Sequence, residues 1–390
     1  MIALKLAYRN LVGAGIRTWL SVSVLAFTFI MIIMVSGLID GWNLQASTDM
    51  KAWEIGKGQY WSDGYDPYDP FTLEDGHGEI PSEFTTGADK GLYAPVLISQ
   101  ATIYPQGRMR TIVMKGIDPD QDIIKIPTSQ LKGEFGAIPV LMGNRMANAS
   151  KMKVGDVTTM RWRDVNGTFD ASKIVLAGTF KTSITTVDNG QIWIPLETVQ
   201  KITGASGQAT IVVVSPEADE LPVISGWEFK EDTFLMSTLL DVIKAKGAGS
   251  SIMYIIFLGL GLLAVFDTQV LSIFRRQKEI GTYIAMGMTR GQVVRLFTVE
   301  GAMHSFLAVI LGALIGTPFF IWFARVGLTL PDSYDSFGMG IAEKMYPSYG
   351  MGLIISTVIL VVLTTTIVSY LPSRKISKMN PTEALRGKIQ

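Results

Sequence analysis

The chain has 390 residues, and its 34 Lys/Arg are balanced by 34 Asp/Glu, so net charge points to no nucleic-acid or strongly acidic partner. Hydrophobic residues make up 48% and charged residues 17%, a balance that favours a membrane protein over a soluble one. Zero Cys excludes disulfides and thiolate chemistry, and two histidines, His77 and His304, leave little material for a catalytic or metal centre.

Four stretches are long and apolar enough to cross a hydrocarbon core of about 30 Å, which takes about 20 helical residues. Residues 1–18 precede the first and form an amphipathic N-terminal segment carrying Lys5, Arg9 and Arg17. Residues 19–39 hold no charge and exceed a signal-peptide core, so they are expected to be a retained first span. Residues 40–250 follow as one large insertion. The second span is 251–274, the third 299–326 and the fourth 351–371, separated by segments 275–298 and 327–350, with 372–390 as the tail. The fold class is therefore a membrane protein of four transmembrane α-helices with a large α+β domain inserted between helices 1 and 2.

Basic residues set the orientation. The segment after span two carries Arg275, Arg276, Lys278, Arg290 and Arg295 against Glu279. The tail carries Arg374, Lys375, Lys378, Arg386 and Lys388 against Glu383. The 327–350 loop has only Lys344 against Asp332, Asp335 and Glu343. Both termini and the 275–298 segment are expected in the cytoplasm, and the large insertion outside it, in the periplasm of a bacterial inner-membrane protein.

Residues 41–250 hold 19 Lys/Arg and 26 Asp/Glu, a soluble domain's surface. Residues 56–81 are rich in turns and aromatics (Tyr60, Trp61, Tyr65, Tyr68, Phe71), which are either a binding surface or well-packed loops. Alternating apolar residues predict strands over 157–163, 173–180 and 191–195, with Asn166-Gly167 as a hairpin turn. Helices are expected over 143–151 and 196–203, and a helical approach to span two over 231–246. No Walker-type phosphate loop and no acid/base or nucleophile constellation is present, so the chain alone is expected to be no enzyme and to bind no cofactor or metal.

The most informative segment follows span two. That helix is expected to run on to Ala285, with Gly287 as its C-terminal stop. Thr289 and Gln292 have capping-box spacing and should start a new short helix, with Val293, Val294 and Phe297 turned to the membrane. Such a helix on the inner face is either a grip for a soluble partner or an ordinary solvated loop. Asn380-Pro381-Thr382-Glu383 repeats the cap pattern in the tail. In span three, Ala308, Gly312 and Gly316 recur every four residues, which permits close helix packing. Glu300, His304 and Asp267 are ionisable residues in or beside the spans. Their expected role is local pairing, with proton or ion coupling as the alternative.

These motifs give the chain its resemblance. Ala7-Tyr8-Arg9-Asn10-Leu11 before span one, Glu279-Ile280-Gly281 with Ala285-Met286-Gly287 after span two, and Asn380-Pro381-Thr382-Glu383-Ala384-Leu385-Arg386 at the end resemble the FtsX-like, MacB-like mechanotransmission (type VII) ABC transporter permeases. Gly56 to Tyr65 followed by Pro67 looks like the lipoprotein-releasing LolC/LolE-type branch. The resemblance implies a permease paired with a second permease, a copy or a paralogue, and bound to two copies of a separate ATPase subunit that carries ATP and Mg. Glu279, Gly281, Ala285, Gly287, Thr289, Arg290 and Gln292 would then take up the ATPase's motion. It also implies a lipid-facing substrate groove between helices 1 and 2, where Met34, Leu38, Met253 and Phe257 are placed by position. Lipoprotein release, with a periplasmic carrier, is the first functional expectation. Efflux of peptides or antibiotics with an adaptor, and regulation of cell-wall hydrolases, are the alternatives.

Overall fold

A computed structural model describes residues 15–69, 72–329 and 344–378. The expected N-terminal motif at 7–11, Phe71 and the tail cap at 380–383 lie outside these. The chain divides into two compact units: Met1–Leu44, Ile243–Leu328 and Met345–Gln390 form a helical unit, and Gln45–Val242 with Thr329–Lys344 form an α+β unit.

Helix α1 covers Ile16–Met50 and closes with one π-helical turn, Lys51–Ile55. The next strands are β1 (Gly58–Ser62), β2 (Gly78–Glu79), β3 (Tyr93–Ile103), β4 (Arg110–Ile117), β5 (Ile138–Gly143), β6 (Val157–Arg163), β7 (Phe169–Phe180), β8 (Gln191–Pro195), β9 (Gln208–Ala209), β10 (Ile211–Val214) and β11 (Trp227–Glu231). Between them lie helices α2 (Ser82–Ala88), α3 (Asn144–Ser150) and α4 (Leu196–Thr203). Nine strands make one sheet in the order β11-β1-β10-β3-β4-β8-β5-β7-β6. The end of β3 also pairs with β6, Ala101 opposite Trp162, so the six strands from β3 to β6 close on themselves. A closed sheet has no open edge to protect.

Period-2 alternation explains the barrel. Ile112 and Met114, Val140 and Met142, Met160 and Trp162, Ile174 and Leu176, and Ile192 and Ile194 all face one interior. Strand β10 is different: Ile211 and Val213 join one core and Val212 and Val214 another, so it is buried on both faces and reads as a continuous apolar run. The aromatics of 56–81 prove mostly structural. Tyr60 is 1% exposed, its ring 4.9 Å from Phe84 and 5.1 Å from Phe229 between centroids. Tyr68, alone among the described members of the group, stands well out in solvent. One expectation needs correction. β7 starts at Phe169, earlier than 173, because its first residues pair with β6 while still exposed. The helical approach over 231–246 is present: Glu231 closes β11, and a single turn, Asp232–Leu235, leads into the next helix.

That helix is α5 (Ser237–Arg275), followed by α6 (Gln277–Ala285), α7 (Arg290–Val326) and α8 (Met351–Ser373). Among the described residues, four helices, α1, α5, α7 and α8, are long and apolar enough to cross a membrane. At 1.5 Å per residue, α5 spans roughly 58 Å, well beyond a hydrocarbon core of about 30 Å. Its apolar stretch is therefore only part of a longer rod. Val22, Leu25, Ala26, Phe29 and Ile33 of α1 are spaced i, i+3, i+4, i+7, i+11 and make the centre of the helical core, joined by Val265, Ala308 and Val361. Gly37 and Gly41 of α1 give room to the segment before α8. A Cβ at Gly37 would lie 2.3 Å from the Tyr349 ring, and Ser348 donates its backbone N–H to the Gly37 carbonyl at 2.8 Å.

Candidate functional site

The segment from Arg275 to Phe297 is built from three local devices. The first is a break at Arg276, whose backbone (φ −100°, ψ 18°) separates α5 from α6. Its guanidinium explains the break. Nη1 donates to both carboxylate oxygens of Glu300, at 2.7 and 2.9 Å, and Nε donates to Glu279 Oε2 at 2.6 Å. The guanidinium also lies 4.9 Å above the Phe297 ring. The Glu300 side chain is only 7% exposed and that of Arg276 18%, so this is a largely buried ion pair. Burial works against the arginine's charge, but the Glu300 carboxylate and the bonds to Glu279 and Glu300 outweigh it and hold its pKa above the ordinary value.

The second device ends α6. The Gly287 N–H donates to the Ile284 carbonyl at 3.0 Å and the Met288 N–H to the Tyr283 carbonyl at 3.1 Å, the paired bonds of a Schellman stop. Gly287 sits at φ +98°, where a side chain is strained whatever the space around it. The third starts α7: the Gln292 N–H donates to Thr289 Oγ1 at 3.3 Å, and the Thr289 N–H donates to Gln292 Oε1 at 2.8 Å. This is the reciprocal cap expected from the 289/292 spacing.

Beyond the cap, the structure departs from expectation. There is no separate short helix; residues 290–298 are the first turns of the 37-residue helix α7. Nor do Val293, Val294 and Phe297 turn to the membrane. They pack with Ile273, Ile280 and Ile376 in a small core of their own, because α6 and the segment after α8 cover that side. Likewise span two does not run unbroken to Ala285, since Arg276 is drawn aside to Glu300.

The opposite side of the same segment is open. Ala285, Met286, Gly287, Thr289, Arg290, Gln292 and Arg295 are exposed, Met286 at 69%. The first turn of α7 has no acidic residue, so the positive end of its dipole adds to Arg290 and Arg295. An apolar tip ringed by positive potential results. Of the seven residues expected to take up an ATPase's motion, Gly281 alone is buried, on the covered side of α6, and Glu279 is half-exposed and bound to Arg276.

Ala308, Gly312 and Gly316 lie on the face of α7 that meets α1. A Cβ on Gly312 would be 2.7 Å from the Phe29 ring, and one on Gly316 3.3 Å from Ile30. Asp267 is exposed on α5. The four residues placed in a groove do not share one cluster among the described residues. Met34 packs into the α1 core, Leu38 and Phe257 are half-buried, and Met253 is 46% exposed. The Arg276–Glu300 pair bears out the local pairing expected of Glu300, but the sequence did not single out Arg276 as the partner. Glu300 stood out as an ionisable residue at a span, but nothing marked which of five nearby bases it would take.

Residues 251–381 match the FtsX-like permease C-terminal family, which covers all three devices. The chain is 22% identical over 328 residues to the lipoprotein-releasing system transmembrane protein LolC of Xylella fastidiosa, covering 75% of this chain and 77% of that one. It is 25% identical over 162 residues to the macrolide export ATP-binding/permease protein MacB of Burkholderia lata, 39% of this chain and 21% of that one. The periplasmic region of MacB from Actinobacillus actinomycetemcomitans superposes on 49% of this chain, and 95% of its own, at 12% identity and a TM-score of 0.30.

Proposed function

We propose that this chain, whose residues 251–381 form an FtsX-like permease domain, is the transmembrane permease subunit of an ABC transporter that turns the motion of a separate ATPase subunit into movement of its α+β unit. The observation that carries this reading is the turn between α6 and α7. It is stiffened from within by two caps, an ion pair and an apolar core, yet presents an exposed, electropositive, Met-tipped surface. A lever needs both properties: a face to push on, and too little internal slack to absorb the push. Two of the four boundaries between the units fall inside helices, at Leu44/Gln45 in α1 and Val242/Ile243 in α5, so at these two the chain leaves the helical unit as continuous helical backbone.

The transporter's job is read as release of lipoproteins from the membrane, supported by the similarity to LolC along three quarters of both chains. In this reading both termini and the 275–298 segment are cytoplasmic, the α+β unit faces the periplasm, two permeases associate, and ATP and Mg bind at two ATPase subunits. Purified chain with its ATPase, in lipid vesicles loaded with a lipoprotein, should then free that lipoprotein to a soluble carrier on ATP addition. No ATP-dependent release, with an intact complex, overturns the assignment of cargo. The similarity to MacB supports a second cargo, small exported compounds, and predicts copurification with an adaptor instead. Orientation has its own test, since a chain with no cysteine accepts single probes cleanly. Thr289→Cys should label only from the cytoplasmic side and Lys153→Cys only from the other.

A further inference from the structure

A second cluster lies in the helical unit, apart from the lever. Gln269 on α5, His304 on α7, and Thr365 and Ser369 on α8 are each 0–3% exposed. One polar atom of each, Gln269 Oε1, His304 Nε2, Thr365 Oγ1 and Ser369 Oγ, has no hydrogen-bond partner among the described residues. Gln269 and Ser369 both adjoin Gly301. A Cβ there would lie 2.3 Å from Ser369 Oγ and 3.1 Å from Gln269 Cδ. His304 is one turn from Gly301 on the same face of α7, and Thr365 one turn from Ser369 on the same face of α8.

The chemistry of the atoms narrows what meets them. His304 Nδ1 lies 3.2 Å from the carbonyls of both Glu300 and Gly301, which only accept, so Nδ1 carries the proton and Nε2 presents a lone pair. Gln269 Oε1 is likewise an acceptor, and the two hydroxyls both donate and accept. Unpartnered polar atoms in an apolar bundle are costly, and four such residues on adjoining turns of three helices point to a shared partner. A cation would find no free carboxylate there among the described residues, because Glu300 is committed to Arg276. An anion would face lone pairs. A small neutral molecule that donates and accepts suits the set.

We propose that Gln269, His304, Thr365 and Ser369 form a buried water-binding site where α5, α7 and α8 meet. Bound water donates to His304 Nε2 and Gln269 Oε1 and accepts from the Thr365 and Ser369 hydroxyls, giving the two to four partners a buried water takes. Such bonds re-form after a small slip of one helix along another, so α5 can shift against α7 and α8 without leaving a polar atom bare. That last consequence rests on the lever reading; the site itself does not.

Radiolytic hydroxyl labelling of the full chain in lipid nanodiscs tests it, because radicals form where water is. His304, at 3% exposure, should be oxidised far faster than Phe29, at the same 3% exposure in the α1 core, after correction for intrinsic reactivity. In Gln269→Leu/Thr365→Val/Ser369→Ala, His304 oxidation should fall to the Phe29 level. Oxidation of His304 at the Phe29 level in the unaltered chain overturns the proposal, as does undiminished oxidation in the folded triple variant. If the triple variant does not fold, Ser369→Ala alone should lower the rate, and an unchanged rate counts against the site. Labelling reads hydration only, so loss of transport with labelling intact strikes the permease reading and leaves this one standing.

Discussion

Replacing Arg276 by Met measures what holds the α5–α6 break in place. The substitution keeps most of the side chain's apolar length but strips Glu300 of the guanidinium that donates to both its oxygens, at 2.7 and 2.9 Å. With the Glu300 side chain 7% exposed, water does not readily replace the lost donor. Removing one partner of such a pair costs about 3–5 kcal/mol, whereas replacing both with apolar residues of similar volume is about neutral. The Glu279 bond adds little, since that carboxylate is 55% exposed. Unfolding of the full chain in mixed detergent micelles should show Arg276→Met well destabilised and Arg276→Met/Glu300→Leu close to the parent. Amide exchange over residues 277–297 should rise in the single variant and return in the double. If the two single substitutions, Arg276→Met and Glu300→Leu, prove additive, the pair is not the unit of stability argued here.

Other parts of the molecule give three further outcomes. Gly287→Pro removes the N–H that bonds to Ile284 and demands a φ that the +98° backbone cannot give; stimulation of the partner ATPase should be abolished while the fluorescence of the α+β unit's tryptophans is unchanged, and normal stimulation would reject the lever. Gly312→Val pushes a Cβ to within 2.7 Å of the Phe29 ring and should destabilise the helical unit by about 1–3 kcal/mol, with Phe29→Ala in the same chain relieving the clash but leaving its own cavity. Burial, then repulsion from Tyr93, pushes the Tyr60 hydroxyl up to about 12 from an ordinary 10. Its contribution to the α+β unit is full below pH 10 and is lost as pH rises through 12, by about 2–3 kcal/mol. Alkaline unfolding should therefore be less steep in Tyr60→Phe, and an identical profile would refute the shift.

Local chemistry was legible in the sequence wherever it involved neighbours along the chain. Strands β6 and β8 and helix α4 occupy the predicted 157–163, 191–195 and 196–203, since alternation and turn residues mark them directly. The Thr289/Gln292 cap and the Gly287 stop are likewise encoded within a few residues. Features set by distant partners could not be read. Ala101 pairs with Trp162, sixty-one residues on, and nothing local announces that the sheet closes there. Strand β10 is a four-residue apolar run with no period of its own to classify it. The break at Arg276 depends on Glu300 in another helix, and the continuity of α7 through 290–298 depends on the cover that Ile280 and Ile376 supply. The side chains around Gly301 come together only when three helices pack.

Strand β3 has a consequence for how the α+β unit bears load. Its first residues ladder onto β10 and its last onto β6, while β4 runs beside most of its length. One eleven-residue strand is thus common property of the open four-stranded portion and the closed cylinder. Tension arriving at either portion meets no hinge before reaching the other, and separating them would mean tearing a ladder of backbone bonds all at once. Whatever stroke this unit performs, it performs as a single stiff plate.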